Sequence, residues 1–212
     1  MAVSHPLAPL LVAAVRLLCG AHARWVGCAP EERQRVYVAN HGSHLDTVVL
    51  WSALPPALRA RTRPVAAADY WSRGLKRRLA ERVFRAVLIP RGVSDASPAE
   101  RESNARAAVE STAGALSDGS SLILFPEGTR NPGPEVGPFK PGIWHLCRMR
   151  PGLELVPVWL DNLKRVLPKG EFAPVPFLAS ATFGAPVVLG DGEEKGPFLE
   201  RLRAAVVELG RR

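Results

Sequence analysis

Short apolar, β-branched runs recur along the chain and are separated by longer stretches with helical spacing. Residues 36–39, 64–68, 86–89, 121–125, 153–160 and 177–183 have the length and composition of buried strands. Residues 43–54, 70–85, 97–116, 142–150 and 198–209 read as helices. The first of these is stopped by Pro55-Pro56, and the second carries Arg73, Lys76, Arg77, Arg78, Arg82 and Arg85. The third opens on Ser97 as N-cap, with Pro98 in the first turn and Glu100 three residues after the cap, and it ends at Ser117-Asp118-Gly119. Strand and helix alternate for most of the length, so the expected fold is α/β, a single domain with a largely parallel central sheet flanked by helices. Ligands of such sheets bind where the carboxyl ends of the strands open into loops.

Residues 1–30 form an N-terminal segment expected to be helical, and residues 31–212 form the α/β domain, with no further boundary. The apolar stretch 7–19 is interrupted by Pro9 and Arg16 and falls short of the ~20 residues needed to span a bilayer. No basic region precedes it, as a cleaved signal peptide would require. Two placements stay open. The segment lies on a membrane surface with Arg16, Arg24 and Trp25 at headgroup level, or it docks on its own domain.

With 212 residues, 47% of them hydrophobic, the chain can bury a sizeable core. A formal charge of +8 favours an anionic partner: nucleic acid, phospholipid or a phosphorylated small molecule. Aromatic residues are only 7% and do not interleave with basic ones, which argues against nucleic acid. Cys19, Cys28 and Cys147 match no metal-ligand spacing and read as packing residues in a reducing compartment, so no metal site is expected.

The run Asn40-His41-Gly42-Ser43-His44-Leu45-Asp46 follows the first strand of the domain. His41 is a candidate general base, and Asp46, turned back at the start of the next helix, is a candidate orienting carboxylate. This is the logic of a serine-protease triad without its nucleophile. A bland alternative stands beside it, since Ser43 to Asp46 also matches a capping box. Ser43 lacks a nucleophile elbow. His44 reads as a cleft-lining or packing residue, and His5, His22 and His145 have no such neighbours. A second polar run, Phe125-Pro126-Glu127-Gly128-Thr129-Arg130, sets an acid, a glycine, a hydroxyl and a guanidinium side by side after another strand. Gly128 allows close backbone approach, and Arg130 offers a planar fork for phosphate. Arg91 in Ile89-Pro90-Arg91-Gly92 and Lys140 in Phe139-Lys140-Pro141-Gly142 are further phosphate-pairing candidates.

The first run resembles the NHxxxxD signature of the glycerolipid acyltransferases of the 1-acylglycerol-3-phosphate type, and the second resembles their FPEGTR block. Residues 87–92 are similar to the block whose arginine contacts the acceptor, and Val156-Pro157-Val158 to the fourth block. Order and spacing agree over residues 21–186. The resemblance implies transfer of an acyl group from acyl-coenzyme A or acyl carrier protein to a lysophospholipid hydroxyl, forming phosphatidic acid in phospholipid biosynthesis. The thioester would be a co-substrate, with no further cofactor and no acyl-enzyme. His41 and Asp46 would be catalytic; Arg91, Glu127, Gly128, Thr129, Arg130 and Lys140 would hold the glycerol phosphate. It also implies a peripheral or monotopic protein on the cytoplasmic face of a membrane with acidic lipids. Pro90 stands where many members carry a larger polar or acidic residue, which bears on acceptor identity. The same chemistry on another lipid acceptor, and a non-catalytic peripheral lipid-binding protein, are the alternatives.

Overall fold

The computed structural model describes residues 6–68, 74–90, 97–131, 133, 135–161 and 179–211. Its strands are β1 (His22–Trp25), β2 (Val36–Ala39), β3 (Thr62–Ala67), β4 (Val87–Ile89), β5 (Ser121–Leu124), β6 (Leu155–Asp161) and β7 (Ser180–Phe183). Its helices are α1 (Leu7–Cys19), α2 (Asp46–Ala53), α3 (Pro56–Arg61), α4 (Gly74–Arg78), α5 (Pro98–Ser117), α6 (Gly142–Met149) and α7 (Lys195–Leu209); α4 runs into a π turn at Leu79–Val83. The strands form one sheet in the order β1-β7-β6-β2-β5-β3-β4. Every neighbouring pair is parallel except β6 with β7.

Side chains alternate across a strand, so β2 feeds two cores. Tyr37 and Ala39 join Val49, Leu50 and Trp51 in the layer of α1 and α2, whereas Val36 and Val38 pack with Leu116, Leu146, Phe198 and Leu202 from α5, α6 and α7. All four β2 residues are buried, as expected for a parallel strand covered on both faces. Pro64 sits inside β3 without breaking the sheet. β3 pairs with β5 through Pro64 and with β4 from Val65 onward, so the proline falls where pairing passes from one neighbour to the other.

The sequence reading of the N-terminal segment needs correction in part. Among its described residues helix is confined to Leu7–Cys19, and His22–Trp25 is an edge strand parallel to β7. Trp25 stacks on Phe183 with ring centroids 3.9 Å apart. The alternation of half-buried and exposed residues in β1 is that of an edge strand, and its composition, with His22 and Arg24, hid it. Helix α1 buries Ala8, Val12, Val15 and Cys19 against the domain and leaves Leu10 67% and Leu17 86% exposed. Among the described residues, no helix is long and apolar enough to cross a membrane.

Pro55-Pro56 stops α2 as expected but also starts α3, because proline is tolerated in a first helical turn. The expected basic helix over 70–85 is seen as α4 and the π turn, with residues 69–73 outside the described set. Of the strand expected at 177–183, Ser180–Phe183 is described. The N-cap reading of α5 is met in full: Ser97 Oγ accepts from the Glu100 N–H, and Glu100 accepts from the Ser97 N–H.

Candidate active site

β2 ends at Ala39, and the chain turns through residues 40–45 before α2 begins at Asp46. Asp46 is wholly buried and closes this turn on itself. Its Oδ2 accepts from the Gly42 N–H at 2.7 Å, from the Ser43 N–H at 2.9 Å and from His41 Nδ1 at 2.8 Å. The capping box does not form, since α2 has no side-chain cap and Ser43 Oγ accepts from the Leu45 N–H at 3.2 Å; one Asp46 oxygen instead satisfies the turn's amides and holds the imidazole. Its Oδ1 has no hydrogen-bond partner among the described residues, and the amino end of α2 is where an unpaired buried anionic oxygen costs least. The other face of the imidazole is fixed by Phe125, whose ring stacks on it at 4.3 Å. With Nδ1 engaged, His41 Nε2 is the nitrogen left for substrate.

Glu127 does something the sequence did not suggest. Its side chain is buried, and both oxygens are taken by backbone: Oε1 accepts from the His41 N–H at 2.7 Å and Oε2 from the Gly137 N–H at 2.9 Å. It therefore ties the loop after β5 to the loop after β2. Asn40 makes a matching clamp on the other side, with Oδ1 accepting from the Leu160 N–H at 2.7 Å and Nδ2 donating to the Leu160 carbonyl at 3.1 Å. Neither role was legible, because the partners are main-chain groups far along the chain.

Gly128 has φ +70°, and a Cβ there would lie 2.5 Å from Lys140 Nζ. The missing side chain thus admits the lysine amine over the glycine backbone. The Lys140 N–H donates to the Pro126 carbonyl at 2.8 Å, which anchors the same approach. Arg130 donates through Nη1 to His44 Nε2, so His44 joins the site as a cleft residue. Thr129 is exposed on the same loop. Of the expected site residues, the structure brings together His41, Asp46, Glu127, Gly128, Thr129, Arg130 and Lys140; Arg91 lies outside the described residues.

A cleft of about 330 Å³ opens at this end of the sheet, and His41, His44, Gly128, Arg130 and Lys140 line it. Its floor is Val65, Ala66 and Ala67 of β3 and Ile89 of β4. Ala105, Ala108, Val109 and Thr112 of α5 cover it, with Ile143 and Leu146 of α6 beside them. The polar groups gather at one side of a predominantly apolar trough. Among the described residues no cluster of His, Cys, Asp or Glu is arranged to hold a metal ion.

The arrangement sets an imidazole that can take a proton beside cations that can pair with an anion, next to an apolar channel. No sequence among curated proteins matches the chain. Among solved structures, the crystal structure of the 1-acyl-sn-glycerophosphate acyltransferase PlsC from Thermotoga maritima is similar to it, at 21% identity and a TM-score of 0.68 over 96% of this chain and 78% of that one. The likeness covers the fold. A family model described as Acyltransferase matches residues 27–161, which take in β2, the His41–Asp46 turn, the Glu127–Arg130 loop and all of β6. The chain belongs to the Acyltransferase family.

Proposed function

We propose that the protein transfers a fatty acyl group from a thioester of coenzyme A or acyl carrier protein to the free hydroxyl of 1-acylglycerol 3-phosphate, forming phosphatidic acid. The observation that carries this reading is the His41–Asp46 pair at the mouth of an apolar cleft, with Arg130 and Lys140 on the same rim. The similar Thermotoga maritima structure, of an enzyme named for that acceptor, supports it.

In this mechanism His41 Nε2 takes the proton of the acceptor hydroxyl as its oxygen attacks the thioester carbonyl. Asp46 holds the ring through Nδ1 and stabilises the imidazolium that forms. The tetrahedral intermediate collapses, the C–S bond breaks, and the proton passes from His41 to the leaving sulfur. The acyl group goes directly to the acceptor, with no nucleophilic side chain and no further cofactor. Arg130 and Lys140, with Thr129 and the Gly128 backbone, hold the acceptor phosphate, and Arg91 is assigned there from its sequence block. Glu127 serves as a positioning residue, since both of its oxygens are spent on backbone amides. The apolar trough takes the acyl chain, whose burial contributes about 0.8 kcal/mol per methylene.

The exposed leucines of α1 and the cation Arg16 suit a membrane surface carrying acidic lipids, from which both lipid substrates would be drawn. The protein would thus work as a peripheral or monotopic enzyme on the cytoplasmic face. Purified protein given oleoyl-coenzyme A or oleoyl-acyl carrier protein and 1-acylglycerol 3-phosphate releases thiol and forms phosphatidic acid. His41→Ala lowers turnover by about 10²- to 10⁴-fold with the fold unchanged by circular dichroism. Equal thiol release by wild type and His41→Ala with either donor would remove this function. A phosphate-free acceptor turned over best would move the assignment to another lipid.

A further inference from the structure

A second, smaller cavity of about 70 Å³ lies at the other end of α2 and β3. Asp46 and Ala66 mark the catalytic ends of these elements, whereas Trp51 and Thr62 line the second cavity. Eight helical residues separate the two ends by about 12 Å. The cavity has room for roughly five water-sized spheres, about the five heavy atoms of a phosphate group.

Its chemistry is cationic. Arg59 (α3), Arg82 (π turn) and Arg85 line it, and no carboxylate does. Arg59 Nη1 donates to the Leu54 carbonyl at 3.0 Å and, at 3.4 Å, to that of Ser52, and its Cζ lies 5.4 Å from the Trp51 ring centroid. Its Nε and Nη2 take no protein acceptor among the described residues. Burial and the neighbouring Arg16 guanidinium both push Arg59 below its ordinary pKa. Arg85 Nη2 donates to the Ala60 carbonyl at 2.5 Å, which leaves its other donors open, and Arg82 is exposed with no hydrogen bond among the described residues. The adjacent acid, Glu81, is engaged by Arg77 at 2.7 Å.

The backbone is also set up for this grouping. Among the described residues, Arg85 is the only non-glycine with positive φ, at 49°. That left-handed conformation is disfavoured for a residue with a side chain. It is held by Arg63 Nε, which donates to the Arg85 carbonyl at 2.7 Å. Three guanidinium side chains lining one small cavity, one of them on a left-handed turn, suit a shared anion that their planar donors can pair. Ala8 and Pro9 of α1 complete the cavity wall, beside the exposed Leu7 and Leu10.

We propose that Arg59, Arg82 and Arg85 form a second, non-catalytic binding site for a single phosphate group, at the opposite end of α2 from His41. The phosphate comes either from an anionic phospholipid headgroup or from a free phosphate. This site depends on neither the acyl acceptor nor the acyl donor assigned above.

The test uses the full chain carrying Arg130→Ala, which weakens the catalytic cradle, with and without Arg82→Gln and Arg85→Gln. Inorganic phosphate binding is followed calorimetrically, and sedimentation is measured with vesicles containing either phosphatidylcholine alone or a third phosphatidic acid. The double substitution is expected to weaken phosphate binding or anionic-vesicle binding by tenfold or more, roughly the worth of one charged hydrogen bond. Loss with vesicles alone assigns a lipid source; loss of free phosphate, with or without vesicles, supports a site open to soluble phosphate. Arg82→Lys restores part of either loss. If neither titration changes, the proposal is overturned. Arg82→Gln alone, at an exposed position, keeps the test valid should the Arg85 turn be needed for folding. In the Arg130 wild-type background, thiol release by the double variant stays within about twofold of the unsubstituted protein in detergent.

Discussion

Glu127 is the residue whose chemistry is most easily misread. A carboxylate in a loop beside two cations suggests contact with substrate, yet burial and two backbone hydrogen bonds leave it no free oxygen. Glu127→Gln keeps the shape but offers only one acceptor, and its amide then faces the His41 or the Gly137 N–H. The charged bonds are worth about 1.5–3 kcal/mol each, so thermal unfolding should move down by several degrees. Turnover number should fall more than tenfold, with the acceptor KM within about threefold, because the imidazole is displaced and the cradle is not. A large rise in acceptor KM at unchanged turnover number would instead make Glu127 a substrate ligand. His41 and Asp46 were legible in the sequence because they lie five residues apart in one turn, where spacing alone determines whether they can meet. Glu127 and Asn40 were visible as members of their runs but not in their roles, since what they bind is the backbone of residues brought near only by the sheet.

At the scale of elements, the alternation of short apolar runs and helical stretches carried most of the fold, because strands buried on both faces need continuous apolar residues. Edge strand β1 and the six-residue α3 escaped it: one is half exposed, and the other begins at a proline pair that also ends a helix. Helix α5 was legible as a helix but not as a wall. Ala113, Ala115 and Leu116 are buried in its last turns, whereas Ala105, Ala108, Val109 and the buried Thr112, at helical spacing, face the cleft. Small side chains there are what leave the trough open. Ala108→Phe should fill part of it and shorten the acyl chain accepted. Each excluded methylene removes about 0.8 kcal/mol, roughly a fourfold loss, so three of them would lower kcat/KM for a long-chain thioester by about sixtyfold relative to a short one. Competition between long- and short-chain acyl-coenzyme A, with products resolved by mass spectrometry, measures the ratio. An unchanged ratio would mean the acyl chain lies elsewhere.

For the molecule as a whole, the two ends of the sheet are built for different tasks. The carboxyl ends of β2 and β5 open into the loops that carry the candidate site, while the amino ends of β2 and its other neighbour β6 are locked by ion pairs. Arg35, just before β2 and 3% exposed, donates to Glu154, just before β6, at 2.8 Å; Arg33 donates to the other oxygen of Glu154 at 2.6 Å. These contacts bind adjacent strands at their starts, so that the loops at their far ends keep one geometry. Burial alone would raise the Glu154 carboxyl, but the hydrogen bonds and charges of Arg35 and Arg33 outweigh it, and its pKa lies below the ordinary glutamate value. A depressed folded-state pKa contributes stability that is fully present above the unfolded value of about 4.3 and is lost as pH falls through the folded value. Glu154→Gln should therefore lower the urea midpoint near neutrality, by the equivalent of about 2 kcal/mol, since Arg35 is left buried beside a neutral amide with only the half-exposed Glu31 as counter-charge. The same substitution should cost progressively less as pH falls below the unfolded value and through the lower folded one, where the wild-type carboxyl is itself protonated. Urea titrations of both proteins across that range decide the matter. A gap that stays constant down to the lowest pH at which both fold would assign the loss to packing and not to the ion pairs.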